Sequence, residues 1–349
     1  MSSVPPSPCI GIIANPVSAR DIRRIVANAG NLQITDRVSM LLRLLGAAGS
    51  MGVKKALMMP DKGGVSAMLI QSLRRESQLH HAFPEVEFLD MAPTTTVNDT
   101  HTAARMMREA GVRVIVVLGG DGTHRAVVRE CRDIPIAGMS TGTNNAFPEL
   151  REPTITGLAV GLYATGRISA AQALAINKLL EVSINDGARR DIALVDAVIS
   201  TDRFIGARAL WKMDSLTAVY LSFAEPHALG LSSIGGQLQP VGRGQPGGLA
   251  IHLSDDPARR RLLLLAPIAP GMVRPVGIAD WETMPANQPF TVARQAGVVA
   301  LDGEREITFD ADDRVQITLV ENAFPTVDVA ACMQFAARNG LLRQLSQPN

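Results

Sequence analysis

Val112-Arg-Val-Ile-Val-Val-Leu118 runs without a break into Gly119-Gly-Asp-Gly-Thr123 and then into His124-Arg-Ala-Val-Val-Arg-Glu130. A β-branched apolar run of this kind suits a strand buried on both faces. Three glycines in four residues let the backbone turn with positive φ and approach a ligand closely. The helical pattern that follows aims its free N–H groups at whatever occupies the turn. Strand, glycine turn and helix together make one unit of a parallel α/β sheet. Asp121 adds a carboxylate where anionic phosphate would sit, which suits the handling of a metal or a proton in a kinase-like site. An ordinary tight turn with Asp121 as helix N-cap fits the same five residues.

Working outward, short apolar runs alternate with helical stretches from Cys9 to about Leu150. The strand candidates are Cys9–Ala14, Lys55–Met59, Val86–Asp90, Val112–Leu118 and Ile134–Gly138. Between them lie helical stretches at Asp36–Gly49, with Val38, Leu41, Leu42 and Leu45 on one face, at Val65–His80 and at Asn98–Ala110. Such a series predicts a mostly parallel sheet with helices on both faces. After about residue 175 the pattern becomes β-branched or alternating runs between Gly, Asp and Pro turns. Leu179–Asn185, Ile192–Ser200, Ala218–Phe223, Leu249–Leu253, Arg261–Leu265, Gly297–Leu301 and Val315–Val320 predict an antiparallel β domain. Helical periodicity through Ala330, Met333, Ala337 and Leu341 predicts a closing helix within 327–349.

A chain of 349 residues with 46% hydrophobic residues predicts about two globular domains. A net charge of +1 and 4% aromatic residues lack the basic excess and stacking platforms of a nucleic-acid binder. Cys9, Cys131 and Cys332 form no pairing or metal pattern and fit reduced core thiols, hence a cytoplasmic setting. The most apolar stretch, Leu262–Ala269, is too short to span a bilayer. Met1–Pro8 reads as a frayed Ser/Pro-rich leader.

Three further stretches line up with the glycine turn. Ile13-Ala-Asn-Pro-Val-Ser-Ala-Arg20 places the Asn15 amide and the Ser18 hydroxyl at the end of the first strand, where open α/β sheets meet ligands; an Asn-Pro turn with Ser18 as N-cap is the plainer reading. Ser140-Thr-Gly-Thr-Asn-Asn145 carries five polar turn residues in six, more than a helix cap needs, and suits neutral donors around phosphate or ribose oxygens. Leu301-Asp-Gly-Glu304 alone is a hairpin turn. Across a cleft it would give a carboxylate pair with Asp121, one acid for metal and the other for a proton.

The order Asn-Pro-x-Ser, Gly-Gly-Asp-Gly-Thr, Pro135, Gly-Thr-x-Asn at 142–145 and Asp-Gly-Glu resembles the NAD kinase and diacylglycerol kinase superfamily over most of the chain. Gly-Ile-Ile-Ala-Asn-Pro-Val-Ser-Ala-Arg-Asp-Ile-Arg-Arg and Ser-Thr-Gly-Thr-Asn-Asn-Ala-Phe-Pro look most like the branch of acetoin catabolism protein X, an ATP-NAD kinase relative. The resemblance implies a Rossmann-like domain over residues 1–150, a β-sandwich domain over 151–326, ATP and Mg2+ in the cleft between them and phosphoryl transfer to a hydroxyl of a small molecule, NAD first among acceptors. It also implies a homo-oligomer, as relatives commonly are. Carried over, Asp121 is the proton acceptor, with Gly119, Gly120, Gly122 and Thr123 around the phosphates. Asn15 and Ser18 match the first nucleotide loop, and Thr141, Thr143, Asn144 and Asn145 the second. Asp302 and Glu304 match the pair that serves metal and acid–base roles in the lipid-kinase relatives.

The chain also departs from those relatives. Where NAD kinases carry an Asn-Glu pair for the NAD ribose and adenine, Ala193–Val198 keeps an acid but has Val195 in place of the amide. Gly230–Gly236 only echoes their Gly-Ser-Thr-rich loop, and Ala19 stands where relatives usually have Gly. Kinases for a lipid or small polyol acceptor, and a non-catalytic nucleotide-binding regulator, stay open as alternatives; three acids facing an anionic ligand speak against the regulator. His80-His81 reads as a helix end, His124 as a solvated first-turn residue, and Arg259–Arg261 as a solvated turn. Trp211–Met213 and Trp281 read as core packing.

Overall fold

Of the runs read as strands and helices in the first half, each forms an element of the expected type. The computed structural model describes residues 8–16, 32–76, 83–141, 145–201, 215–293, 296–303 and 305–343. The first half is β1 (Cys9–Ala14), α1 (Ile34–Ser50), β2 (Lys55–Met58), α2 (Val65–Glu76), β3 (Glu85–Phe88), α3 (Val97–Glu109), β4 (Ile115–Gly119), α4 (Asp121–Cys131) and β5 (Ile136–Ser140). Their order in the sheet is β3-β2-β1-β4-β5, all parallel, which puts a topological switch point between β1 and β4. Ile10, Ile12, Val116 and Leu118 face α1 and α2 on one side, while Ile13, Ile115 and Val117 face α3 and α4 on the other. Double burial of this kind is what the β-branched runs predicted. On α1 the buried face is Val38, Leu41, Leu44, Leu45 and Ala48; Leu42, expected there, is only partly buried.

The chain continues through α5 (Pro153–Ala164), the single turn α6 (Ala170–Ala173), β6 (Leu174–Ile184), β7 (Arg189–Ala193), β8 (Asp196–Ser200) and β9 (Leu216–Leu221). It closes through α7 (Ser232–Leu238), β10 (Gly248–Leu253), β11 (Leu262–Ala269), β12 (Met272–Met284), β13 (Pro289–Thr291), β14 (Gly297–Leu301), β15 (Arg305–Phe309), β16 (Val315–Val327) and α8 (Val329–Arg338). A seven-stranded antiparallel sheet, β11-β12-β10-β9-β8-β14-β15, is separate from the first. It packs through Ile199, Tyr220, Ala250, Val299 and Leu301 on Leu180, Val182, Ile317 and Leu319 of β6 and β16. That is the β-sandwich; Ile234 of α7 helps cover the other face of the seven-stranded sheet.

The second layer of the sandwich is not independent of the α/β sheet. β16 pairs in parallel with β5 at Thr326 and Ile136, antiparallel with β6 from Val315 to Val327, and β7 follows β6, so the nine-stranded sheet runs on β5-β16-β6-β7 with β13 on β16. Ile192–Ser200, read above as one strand, is in fact two. β7 joins the nine-stranded sheet, β8 joins the seven-stranded one, and the chain crosses between them at Leu194 and Val195. The helix α5 packs across α1, and α8 packs on α5. No helix among the described residues is long and apolar enough to cross a membrane.

Two glycines set the α1–α5 contact. A Cβ on Gly157 would lie 2.4 Å from the Leu44 carbonyl oxygen, and one on Gly161 would lie 2.6 Å from Met51 Cβ. Gly157→Ala gains up to about 1 kcal/mol of helix propensity. It forces the helices apart against backbone that cannot yield, at about 1–3 kcal/mol or more. The expected net result is a lower urea midpoint; an unchanged or raised midpoint would show that the helices separate freely.

Candidate functional site

The carboxyl ends of β1, β4 and β5 converge at the switch point, and most of the expected ligand-binding residues stand there. α4 begins at Asp121, with Gly120 as N-cap in extended conformation (φ −94°, ψ −173°). This corrects two expectations: none of Gly119, Gly120 and Gly122 has positive φ, and Asp121 is the first helical residue rather than a loop residue or cap. The strand feeds the helix through one extended residue, so no left-handed turn is needed. The glycines are required for approach. A Cβ on Gly119 would lie 2.6 Å from Thr123 Cβ, and one on Gly120 would lie 2.9 Å from Asn145 Oδ1.

Neutral polar groups tie the three strand ends together. Asn15 Nδ2 donates to Thr123 Oγ1 at 3.2 Å, and the Asn15 N–H donates to the Leu118 carbonyl at 3.2 Å. Arg37 of α1, a fully buried side chain, donates to the Asn15 carbonyl at 2.8 Å. The Thr141 N–H donates to the Gly119 carbonyl at 3.3 Å, and Asn145 Nδ2 donates to Ser140 Oγ at 2.8 Å. The Asp121 carboxylate, half-buried, accepts the N–H groups of Ala146 at 3.0 Å and Phe147 at 2.8 Å. Asn15, Gly119, Gly120, Asp121, Gly122, Thr123, Thr141 and Asn145 are thus one assembly. Ser18, Gly142, Thr143, Asn144 and Glu304 lie outside the described residues, as do His80-His81 and Trp211–Met213.

Asp302 stands just after β14, against the crossover from β7 to β8. Its fully buried carboxylate accepts the N–H groups of Leu194 at 3.0 Å, Val195 at 2.8 Å and Asp196 at 3.3 Å, and lies 3.6 Å from Arg125 Nη1. Burial raises its pKa, opposed by the Arg125 guanidinium and by those N–H groups. Oδ1 takes most of these bonds, while Oδ2 shares the Leu194 N–H and faces Arg125. Among the described residues no three His, Cys, Asp or Glu side chains cluster as a metal set. The donors that are present, amides, hydroxyls and a helix start, fit a phosphate chain whose Mg2+ is held largely by phosphate oxygens, as Mg2+ commonly is.

His124 departs from the solvated position expected for it. It is fully buried, Nδ1 lies 2.8 Å from the Gly120 carbonyl, and Nε2 has no hydrogen-bond partner among the described residues. Its place beneath the glycine turn exists because position 138 is glycine: a Cβ there would lie 2.8 Å from Nε2. Arg259 and Arg261 are exposed and paired with Asp256 and Asp280, and Trp281 packs against the α7 side of the seven-stranded sheet. Cys131 and Cys332 are buried free thiols, pushed up to about 12 and about 11 by burial.

Charged residues not singled out in the sequence link the two halves around these strand ends. Arg243, between α7 and β10, donates to the carbonyls of Ala146 and Phe147, each at 2.7 Å, and pairs with Glu225 at 3.3 Å. Arg125 also donates to the Leu301 carbonyl at 2.5 Å, and Arg129 pairs with Asp191 of β7 at 3.1 Å. Arg125 lies one turn after Asp121 on the same helix face, a spacing that was readable. Arg243 lies in Val241-Gly-Arg-Gly-Gln-Pro-Gly-Gly248, which has no local pattern pointing to a site.

Comparison with known proteins follows this geometry. Residues 10–168 match the ATP-NAD kinase N-terminal domain and residues 178–322 match the acetoin catabolism protein X C-terminal domain. Acetoin catabolism protein X of Cupriavidus necator is 59% identical over 345 residues, covering 98% of this chain and 96% of that protein. The chain belongs to the acetoin catabolism protein X family. Within that family assignment, its first domain is of the NAD kinase type. The NAD kinase of Methanosarcina barkeri is 25% identical over 261 residues, 71% of this chain and 84% of that one. That of Methanosarcina acetivorans is 22% identical over 248 residues, 68% and 81%.

Two outcomes follow. Asp302→Asn leaves Arg125 buried without its counter-charge and is expected to cost about 3–5 kcal/mol in urea unfolding; a loss below 1 kcal/mol would refute the buried-pair role. Burial pulls His124 down from 6.5 to about 4. The unfolded chain therefore binds the extra proton first, and stability falls as pH drops from 6.5 towards 4, by about 2 kcal/mol at pH 5. His124→Gln should flatten that slope between pH 7 and 5, and an equally steep slope in the variant would assign it to other groups.

Proposed function

We propose that the protein transfers the terminal phosphoryl group of ATP to a hydroxyl of a small molecule, with NAD the first acceptor to test. The observation that carries this reading is Asp121. A carboxylate stands at the first turn of a helix, directly behind a close-approach glycine turn, among neutral donors from three strand ends. The α4 N-terminus and the glycine backbone favour negative charge developing on the transferred group. Asn15, Thr123, Thr141 and Asn145 suit phosphate and ribose oxygens, and Ser18, Thr143 and Asn144 are assigned to the same two loops. A bound Mg-nucleotide supplies the phosphoryl group and a cation that neutralises part of its charge. Asp121 accepts the proton of the acceptor hydroxyl as that oxygen bonds to phosphorus and the bond to the nucleoside diphosphate breaks.

Asp302 is assigned to holding the domain junction, through the backbone of residues 194–196, and Glu304 to acid–base work. One observation favours an acceptor other than NAD. Val195, which replaces the amide of NAD kinases, is fully buried with its N–H bonded to Asp302, so the ribose contact of those enzymes has no counterpart at that residue.

The test is Mg2+-dependent formation of NADP from NAD and ATP, read by a coupled dehydrogenase, for wild type and Asp121→Asn. Loss of the proton acceptor is expected to cost roughly 10²–10⁴ in turnover. Near-wild-type turnover in a folded Asp121→Asn would refute the assigned base. Tight Mg-ATP binding without NADP would direct the search to other hydroxyl acceptors, and no ATP binding would refute the kinase.

A further inference from the structure

A single peptide group connects a cation of the sandwich domain to the Asp121 carboxylate. The N–H of Phe147 donates to Asp121 Oδ1 at 2.8 Å. At the other end of that same peptide, the Ala146 carbonyl accepts Arg243 Nη2 at 2.7 Å. The guanidinium thus polarises the peptide in the sense that strengthens its bond to the carboxylate, and charge-assisted bonds at both ends reinforce one another. Arg243 Nη1 holds the next carbonyl, that of Phe147, at 2.7 Å, so the planar fork fixes both the loop's position and its rotation.

Arg243 is itself held from several sides. Its Nε faces Glu225 at 3.3 Å, and its guanidinium carbon lies 4.4 Å from the Phe223 ring centroid and 5.5 Å from that of Phe147. The loop that carries it is seated on Lys178 of β6, whose buried ammonium donates to the carbonyls of Gly242 at 3.1 Å, Gln245 at 2.7 Å and Gly247 at 2.7 Å. Glu321 of β16 accepts the Gly247 N–H at 2.7 Å. Three backbone carbonyls around one buried lysine are more than a surface loop requires, and they leave the arginine little freedom.

We propose that Arg243 is a positioning residue: through the Ala146–Phe147 peptide it sets the place and orientation of the Asp121 carboxylate, so that the site is complete only with residues 242–247 seated against 145–147. The geometry stands by itself; the catalytic consequence rests on the phosphotransferase reading above. A brace that merely packs the domains together would affect stability without changing the bond between Phe147 and Asp121.

The experiment labels the full-length protein with 13C at alanine carbonyls and 15N at phenylalanine, so that only Ala–Phe peptides report. There are three, at 82–83, 146–147 and 323–324, and the signal displaced in Asp121→Asn identifies Phe147. In Arg243→Gln that amide proton is expected to move upfield, in the direction seen for Asp121→Asn, and its hydrogen exchange to quicken roughly tenfold. Arg243→Lys keeps the charge without the fork and should fall between. An unmoved Phe147 signal in a folded Arg243→Gln overturns the proposal; where that variant does not fold, an unmoved signal in Arg243→Lys does the same. In the turnover assay kcat should fall about tenfold or more with KM for Mg-ATP within about threefold, partly restored by lysine. A change in KM alone overturns the catalytic consequence. A wild type that binds Mg-ATP but makes no NADP moves the kcat comparison to another hydroxyl acceptor, and one that binds no ATP refutes the kinase reading; in both cases the Phe147 signal still decides the bridge.

Discussion

The pairing of β6 with β16 is the constraint on which the two halves of the molecule depend. Without β16, β5 would be an edge strand with unpaired backbone groups beside the site. β16 comes from the far end of the chain, pairs in parallel with β5 at Thr326 and runs antiparallel to β6. The register shifts between Val320 and Phe324, where Asn322 takes a left-handed φ of 53°. A bulge of this kind bends and twists a strand pair, and here it divides the stretch that continues the α/β sheet from the stretch that forms one layer of the sandwich. Contacts so distant in sequence form at a high loop-closure cost. Seating of the second domain on the first therefore belongs late in folding.

Helix α4 turns that shared sheet into a defined angle between domains. Asp121, Arg125 and Arg129 follow at four-residue spacing along one face. Asp121 holds the 146–147 loop, Arg125 holds Leu301 and Asp302, and Arg129 holds Asp191. Buried ion pairs add little net stability compared with well-packed apolar groups. Any domain arrangement that separated Arg125 from Asp302, however, would leave both charges buried and unpaired, at several kcal/mol. The row of charges thus selects one arrangement without making it much more stable.

What could be read from the sequence was whatever local pattern controls. The runs at 9–14 and 112–118 are strands because β-branched residues suit two-sided burial, and the glycine turn is where β4 hands over to α4. What could not be read depended on distant partners. Ile192–Ser200 looks like one strand because Leu194 and Val195 are apolar; it breaks there because Asp302, more than a hundred residues later, takes their N–H groups. His124 looks exposed at a polar helix start and is buried because Gly138 on β5 makes room for the ring. The glycines read as a left-handed turn for close approach to a ligand; what the structure shows is that they make room for the Thr123 and Asn145 side chains without any left-handed φ. Arg243 and Lys178 carry no local signal at all, since each acts on backbone carbonyls that any residue supplies.

Under the proposed phosphotransferase reading, the Asp302 carboxylate also bears on the choice of acceptor. The backbone at 194–196 is pinned by three N–H bonds to one carboxylate, and Leu194 and Val195 are fully buried against the α3–α4 side of the sheet. An asparagine at 195 in this framework would have to bury its amide in apolar surroundings, at about 1–3 kcal/mol if unpaired, rather than present it to a ribose. The difference from NAD kinases at this position is therefore built into the strand crossover itself, and a single side-chain exchange does not reverse it. On that reading, discrimination among acceptors then falls to groups nearer Asp121, whose carboxylate is held by the 146–147 loop that Arg243 secures.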